Sequence, residues 1–399
     1  TVTCSKNNTN HIVLLTNESI STSKTSYTLY IWIDGANYTN PNTMMNKTFS
    51  FKLHADGEGA VLKKTAADII TELYKNASKT PAKNNGITYN TAPSVSLMND
   101  RLGGTTTDLD GGNIRYYGAS PNNYIYFNCS DYSNQTSSTC ETWRIIGVFN
   151  GKLKLIRGSQ IGKYSWDNKN TSTGAENNYG KNDWTTARLM KLLNPSDYYK
   201  VDSNDNNLGQ SLYYNSTSGK CYSGQNNATV DCDFTSTGIK NEETRNMIAE
   251  TTYNLGGWNS SSVYPNQIYE YERGTTVYTG RPTTPWTGKI ALAYPSDYGY
   301  AADLNQCKDK TLYDYDNSTC TSNNWMKAII TNNGNDFGWL LTPDSGYSHR
   351  AWAVGSDGYV RHYFAYTAAV AVPVLSLSSE LGIESGGDGS SSKPYKLSA

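Results

Sequence analysis

Histidine is the side chain that most readily gives and takes protons near neutral pH. This chain of 399 residues has four, His11, His54, His349 and His362, and the first two lie in an N-terminal piece apart from the rest, so a Ser-His-Asp or Cys-His arrangement lacks material. The G-x-S-x-G elbow, the H-E-x-x-H helix and the G-x-x-x-x-G-K-[ST] loop are all absent, which removes the common hydrolase, protease and nucleotide-binding classes. Asp108-Leu-Asp-Gly-Gly-Asn113 and Asp202-Ser-Asn-Asp-Asn-Asn207 carry oxygen groups at alternating positions as calcium loops do, yet lack the Gly-6 and Glu-12 of an EF-hand and read as Asx-rich turns. Asn182-Asp183-Trp184 reads as the cap of a helix and not as a calcium site. No metal, cofactor or catalysis is expected. Paired carboxylates distant in sequence keep a carbohydrate-active enzyme open as an alternative.

The informative chemistry is that of contact. About forty asparagines run through the chain as far as Asn335 and none follows. From Asp344 to Val374 the chain also lacks Lys, Glu, Gln and Met, while Tyr347, His349, Arg350, Asp357, Tyr359, Arg361, His362, Tyr363, Phe364 and Tyr366 crowd in. Tyr and Phe offer rigid contact area at low entropic cost, and Arg and His add charge-assisted hydrogen bonds. Arg361-His-Tyr-Phe364 has no apolar period of 2 or 3.6, which argues for partial exposure over a core strand. A ligand-binding surface from Asp344 to Ala369 follows.

The elements that must hold it read as α+β with long irregular loops. Trp143–Phe149 and Lys152–Ile156 flank Asn150-Gly151, the signature of a type I′ hairpin. Helices are expected at Thr65–Lys75, Trp184–Leu193 and Glu242–Glu250, and strands near Lys289–Ala293, Gly338–Leu341, Ala351–Val354 and Ala371–Leu377. Four segments emerge: residues 1–58 as a small β-sandwich-like piece containing strands Tyr27–Ile33 and Lys47–Leu53, 59–112 as helix and linker, 113–383 as the main domain, and 384–399 as a flexible tail.

Six of the seven cysteines form close pairs, Cys129 with Cys140, Cys221 with Cys232 and Cys307 with Cys320, each flanking a polar segment, so local disulfides and an extracellular location are expected, with Cys4 left over. About a dozen N-x-S/T sequons occur, among them Asn7, Asn46, Asn128 and Asn259. A net charge of -1 with 17% charged residues speaks against nucleic acid or an anionic membrane as partner. The apolar runs are too short to span a bilayer, so a membrane is expected only through an N-terminal anchor outside this sequence.

Trp143-Arg-Ile-Ile-Gly-Val, Asn182-Asp-Trp-Thr-Thr-Ala-Arg-Leu-Met-Lys-Leu-Leu-Asn194, Tyr294-Pro-Ser-Asp-Tyr-Gly-Tyr-Ala301, Gly338-Trp-Leu-Leu-Thr-Pro343 and Pro373-Val-Leu-Ser-Leu377 resemble surface proteins of gut Firmicutes. Their C-terminal domain is similar to the C-type-lectin-like fold shared with formylglycine-generating enzymes, and some resemble the variable proteins of diversity-generating retroelements. The resemblance covers 113 to about 383. It implies adenine-directed exchange of Asn codons, whose alphabet fits His349, Arg350, Ala353, Gly355, Asp357, Tyr359, Arg361, His362, Tyr363, Phe364, Tyr366, Thr367 and Ala369, with Trp352 fixed as scaffold. The chain departs from it in carrying Val372, where related domains have Arg before the final-strand proline, and it has no cysteine pair of the oxidase type. The implied function is a non-catalytic adhesin or receptor at a bacterial cell surface, taking a protein or glycan ligand. A self-assembling subunit of an extracellular filament or pilus is the alternative, suggested by the incomplete sandwich and Cys4.

Overall fold

The computed structural model describes residues 5–6, 12–13, 64–101, 112–168, 179–201, 208–283 and 285–398. The chain divides into two units, Thr1–Lys63 and Lys64–Ala399. In the first, Ser5–Lys6 pairs antiparallel with Ile12–Val13; the strands expected at Tyr27–Ile33 and Lys47–Leu53 lie outside the described residues.

The second unit begins earlier than the sequence suggested. Its first helix, Ala66–Asn76, starts where Thr65 accepts from the Asp68 amide and Asp68 accepts from the Thr65 amide, a capping box, and buries Ala66, Ala67, Ile70 and Tyr74. The stretch expected to be a linker then makes three strands, Thr80–Asn84, Ile87–Ala92 and Leu97–Asn99. The physical reason is a turn of the same kind as at Asn150-Gly151. Asn85 and Gly86 take φ of 51° and 71°, and Asn84 pairs directly with Ile87 across them. Polar composition hid these strands: Asn84, Asn90 and Asn99 are all buried.

The described residues are sheet-rich, with 30% strand against 19% helix, spread over several sheets. The larger sheet has nine strands. Its order runs Ile290–Ala291, Val374–Ser376, Lys152–Arg157, Glu141–Phe149, Ile114–Tyr116, Leu97–Asn99, Ile87–Ala92, Thr80–Asn84, with Tyr124–Phe127 also on Glu141–Phe149. The hairpin at its centre turns at Asn150 and Gly151, φ 50° and 73°, as the sequence predicts. The smaller sheet has five strands in the order Gly162–Ser165, Ala368–Ala371, Gly338–Pro343, Arg350–Val354, Val360–Phe364. Successive residues of its central strands point to two separate cores, Trp339, Leu341, Ala351 and Ala353 to one and Leu340, Trp352 and Val354 to the other.

A buried ionic network ties the larger sheet to the helix Pro295–Tyr300. Arg115 donates from Nε to Asp100 at 2.5 Å and from Nη1 to Asp297 at 2.9 Å, and Lys154 reaches the other Asp297 oxygen. Asp297 also accepts from the Tyr294 amide at 3.0 Å, capping its own helix. Burial opposes its ionisation, but Lys154 and Arg115 outweigh burial and hold the carboxyl below its ordinary range.

Three disulfides join Cys129 to Cys140, Cys221 to Cys232 and Cys307 to Cys320, as the spacing predicts, and they indicate an oxidising, extracytoplasmic environment. Among the described residues no helix is long and apolar enough to cross a membrane. The expected tail is ordered: Leu397–Ser398 pairs with Gly382–Ile383, and Tyr395 is buried with its amide on Tyr124 O. Asn128 is fully buried, its amide on Gly238 O and its carbonyl on the Lys240 amide, so this sequon cannot carry a glycan in the folded chain, whereas Asn259 is exposed.

Candidate functional site

Val360–Phe364 is an edge strand, paired on one side with Arg350–Val354. An edge strand lacks a neighbour on one side, so side chains on either of its faces can reach past the rim of the sheet to solvent. Arg361, His362, Tyr363 and Phe364 are all half-buried while Val360 is buried, which is the physical cause of the missing period in the sequence. Cross-strand register places Phe364 opposite Arg350 and His362 opposite Trp352 on one face, and Tyr363 opposite Ala351 and Arg361 opposite Ala353 on the other.

The first face carries an aromatic stack. Tyr179 lies 4.8 Å from Phe364 and 5.8 Å from Tyr366, and Phe364 and Tyr366 are 5.7 Å apart with planes 4° from parallel. His349 stacks on Phe364 at 5.4 Å and meets the edge of Tyr347. The Arg350 guanidinium sits over Tyr347 at 4.1 Å and over Phe364 at 5.0 Å, a cation–π contact. His362 stacks on the buried Trp352 and contacts the Asp344 carboxylate through Nδ1.

On the second face Arg361 sits 3.3 Å over Tyr359 while donating to Asp357 at 2.6 Å, Tyr313 meets Tyr359 at 5.3 Å, and Tyr363 stacks on Phe337 at 4.2 Å. Thr367, half-buried, closes the turn after the strand by donating its amide to Phe364 O.

Eleven of the fourteen expected ligand-binding residues are therefore at least partly exposed on this edge: Tyr347, His349, Arg350, Asp357, Tyr359, Arg361, His362, Tyr363, Phe364, Tyr366 and Thr367. Ala353, Gly355 and Ala369 are not. Ala353 is enclosed between Trp339 and Arg361 on neighbouring strands, Ala369 pairs with Tyr164, and a Cβ on Gly355 would come within 2.4 Å of Asp357. Tyr179, Tyr313 and Phe337 join the surface from outside the expected stretch. Tyr179 and Tyr313 were missed because exposure of a lone tyrosine leaves no periodic signal. With Tyr347 they are three of the exposed large hydrophobics among the described residues, the others being Val201 and Val230.

The loop that supplies Tyr347 to Arg350 is held from beneath by Asn182. Its Nδ2 contacts the carbonyls of Asp344, Tyr347 and Arg350 at 2.8, 2.7 and 2.9 Å, and its Oδ1 accepts from Arg281 Nε at 2.9 Å. Asp183 caps the short 3₁₀ turn Trp184–Thr186 that leads into the helix Arg188–Leu193, as its sequence position predicts.

The acid with the most perturbed ionisation, Glu272, is pushed up to about 7 by burial, yet it is fully enclosed against Ser296 and Arg273 and lines neither of the two clefts described in this chain. Among the described residues no three His, Cys, Asp or Glu side chains gather as a metal site.

No family model matches this sequence, and no curated protein or solved structure is significantly similar to it.

Proposed function

We propose that the chain is a non-catalytic extracellular ligand-binding protein, an adhesin or receptor of a bacterial cell surface, whose contact surface is the two-faced edge formed by Tyr347–Arg350 and Asp357–Thr367. The observation that carries this reading is the concentration of partly exposed aromatic rings, with Arg350 and Arg361 laid over them, on and beside one edge strand. Aromatic and arginine side chains are those that dominate binding energy at interfaces.

The finer reading follows the sequence resemblance: a C-type-lectin-like scaffold presenting residues exchanged by a diversity-generating retroelement. What supports it is the separation of roles. Trp352 and Trp339 are enclosed in the cores on either side of the sheet, while most residues of the restricted alphabet are at least partly exposed, Ala353, Gly355 and Ala369 being the exceptions. Exchange at such positions costs little stability, because an edge side chain gives up few contacts. The test replaces Tyr359→Asp, Arg361→Ser and Tyr366→His together and screens both chains against arrayed glycans and cell-surface proteins. The expected result is a melting temperature close to that of the parent and a changed set of ligands. An unchanged set bound equally well overturns the reading.

A further inference from the structure

A second place offers chemistry, a cleft of about 450 Å³ that no residue of the aromatic edge lines. It is walled by the strands Tyr124–Phe127 and Glu141–Phe149 and by the turn that follows Lys152–Arg157. Two arginines face it and they differ. Arg157 is matched: Nε and Nη2 donate to the two oxygens of Glu141 at 2.9 and 3.0 Å, and Nη1 is taken up by Ser159 and the Gln160 carbonyl. Arg144 is not. It is 7% exposed, and among the described residues no carboxylate pairs with it. Nε donates to Asn123 Oδ1 and Nη2 to Pro121 O at 3.3 Å, and the Tyr124 phenol also hydrogen-bonds the guanidinium, so the partners named are neutral and none is a carboxylate. The guanidinium packs 3.7 Å from the Tyr124 ring centre and 4.9 Å from that of Trp325.

A guanidinium so deeply buried is costly without a counter-charge. Burial draws Arg144 down to about 10, with only the Tyr124 phenol acting against it. Glu141 and Arg157 cancel, so the cleft carries one uncompensated positive charge. Around that charge stand the hydroxyls of Tyr124, Thr142 and Ser159, groups that hydrogen-bond neutral oxygen substituents.

We propose that this cleft binds a small organic carboxylate bearing hydroxyl groups, of the size of a single sugar acid, with its carboxylate against the guanidinium of Arg144, which has no carboxylate partner among the described residues. The volume lies in the range of small-molecule sites, and a planar carboxylate matches the guanidinium edge. This site is independent of the aromatic edge and does not rest on the function proposed for it.

The test uses the full chain, with glucuronate as probe, glucose as its uncharged twin and sodium sulfate as the plain anion, read by calorimetric titration and by thermal unfolding. Glucuronate is expected to give saturable heat and to raise the melting temperature with concentration, and glucose to do neither. Arg144→Gln is expected to weaken glucuronate at least about tenfold with the melting temperature kept. If that variant does not fold, Glu141→Gln decides, since it leaves Arg144 in place and removes the carboxylate that neutralises Arg157; tighter binding supports the site and unchanged or weaker binding overturns it. The proposal is also overturned by the absence of saturable binding, by sulfate binding as tightly as glucuronate, or by undiminished binding to folded Arg144→Gln.

Discussion

Asn182 Nδ2 lies 2.7 Å from the Tyr347 carbonyl oxygen, and through that bond a buried side chain on the scaffold sets the position of the most exposed tyrosine of the contact loop. The same amide holds the carbonyls of Asp344 and Arg350, so the loop backbone is fixed while its side chains are left free. Asn182→Ala would remove the Nδ2 donor from the carbonyls of Asp344 and Tyr347, the Arg350 carbonyl keeping the Asp344 amide, and the acceptor of Arg281 Nε, with an expected cost of about 2–4 kcal/mol. Urea denaturation checks the stability. Ligand binding should also weaken although Asn182 is 1% exposed and touches no ligand, and full binding by this variant would detach the loop from the contact surface.

The turn that begins the edge strand permits a contrast between two glycines. Gly358 takes φ of +107°, and a Cβ there would lie 2.8 Å from Thr321 and 3.2 Å from the Tyr315 carbonyl, so Gly358→Ala is expected to cost about 1–3 kcal/mol. At Gly355 the added Cβ meets the ends of Asp357 and Arg361, which can move aside. Gly355→Ala should therefore cost under about 1 kcal/mol while breaking the Asp357–Arg361 pair. Chemical denaturation of the two variants in parallel should rank them in that order.

Stability should respond to pH through Glu272. Burial lifts its pKa from 4.5 to about 7, so between those values the unfolded chain has lost a proton that the folded chain still holds. This residue's contribution is therefore full below the unfolded value, declines as pH rises toward 7, and is level beyond, a change of about 3 kcal/mol. Glu272→Gln has no proton to lose. Denaturant midpoints at about pH 5 and about pH 8 should show the variant gaining on the parent at the higher pH, and a constant difference between the two chains would contradict the assignment.

Much of the scaffold was legible because it rests on local signals. Asn150-Gly151 gave its hairpin, the helical spacing of Ala66, Ile69, Ile70 and Leu73 its first helix, and the cysteine spacing its three loops. The identical signal at Asn85-Gly86 lay in a stretch dominated by Thr, Asn and Gly, and only its pairing with Leu97–Asn99 and Ile114–Tyr116 makes it part of a sheet. Long-range pairing of that kind is not written in composition. The contact surface was legible where Arg361-His-Tyr-Phe364 broke both periodicities, because an edge strand shows solvent on two faces. Its alanines were not, since Ala353 and Ala369 are small for the sake of Trp339 and Tyr164 packed beside them.

The central claim is that the edge binds. It is tested most directly by measuring, on one glycan array and one surface-protein panel, this chain beside a variant carrying Tyr359→Ala, Arg361→Ala, Tyr363→Ala, Phe364→Ala and Tyr366→Ala, with circular dichroism confirming the fold of both. The account predicts that ligands held by the parent are lost from the folded variant. Equal binding by the two chains, or no binding by either together with heat-resistant polymers on native gels, would contradict it and favour a filament subunit.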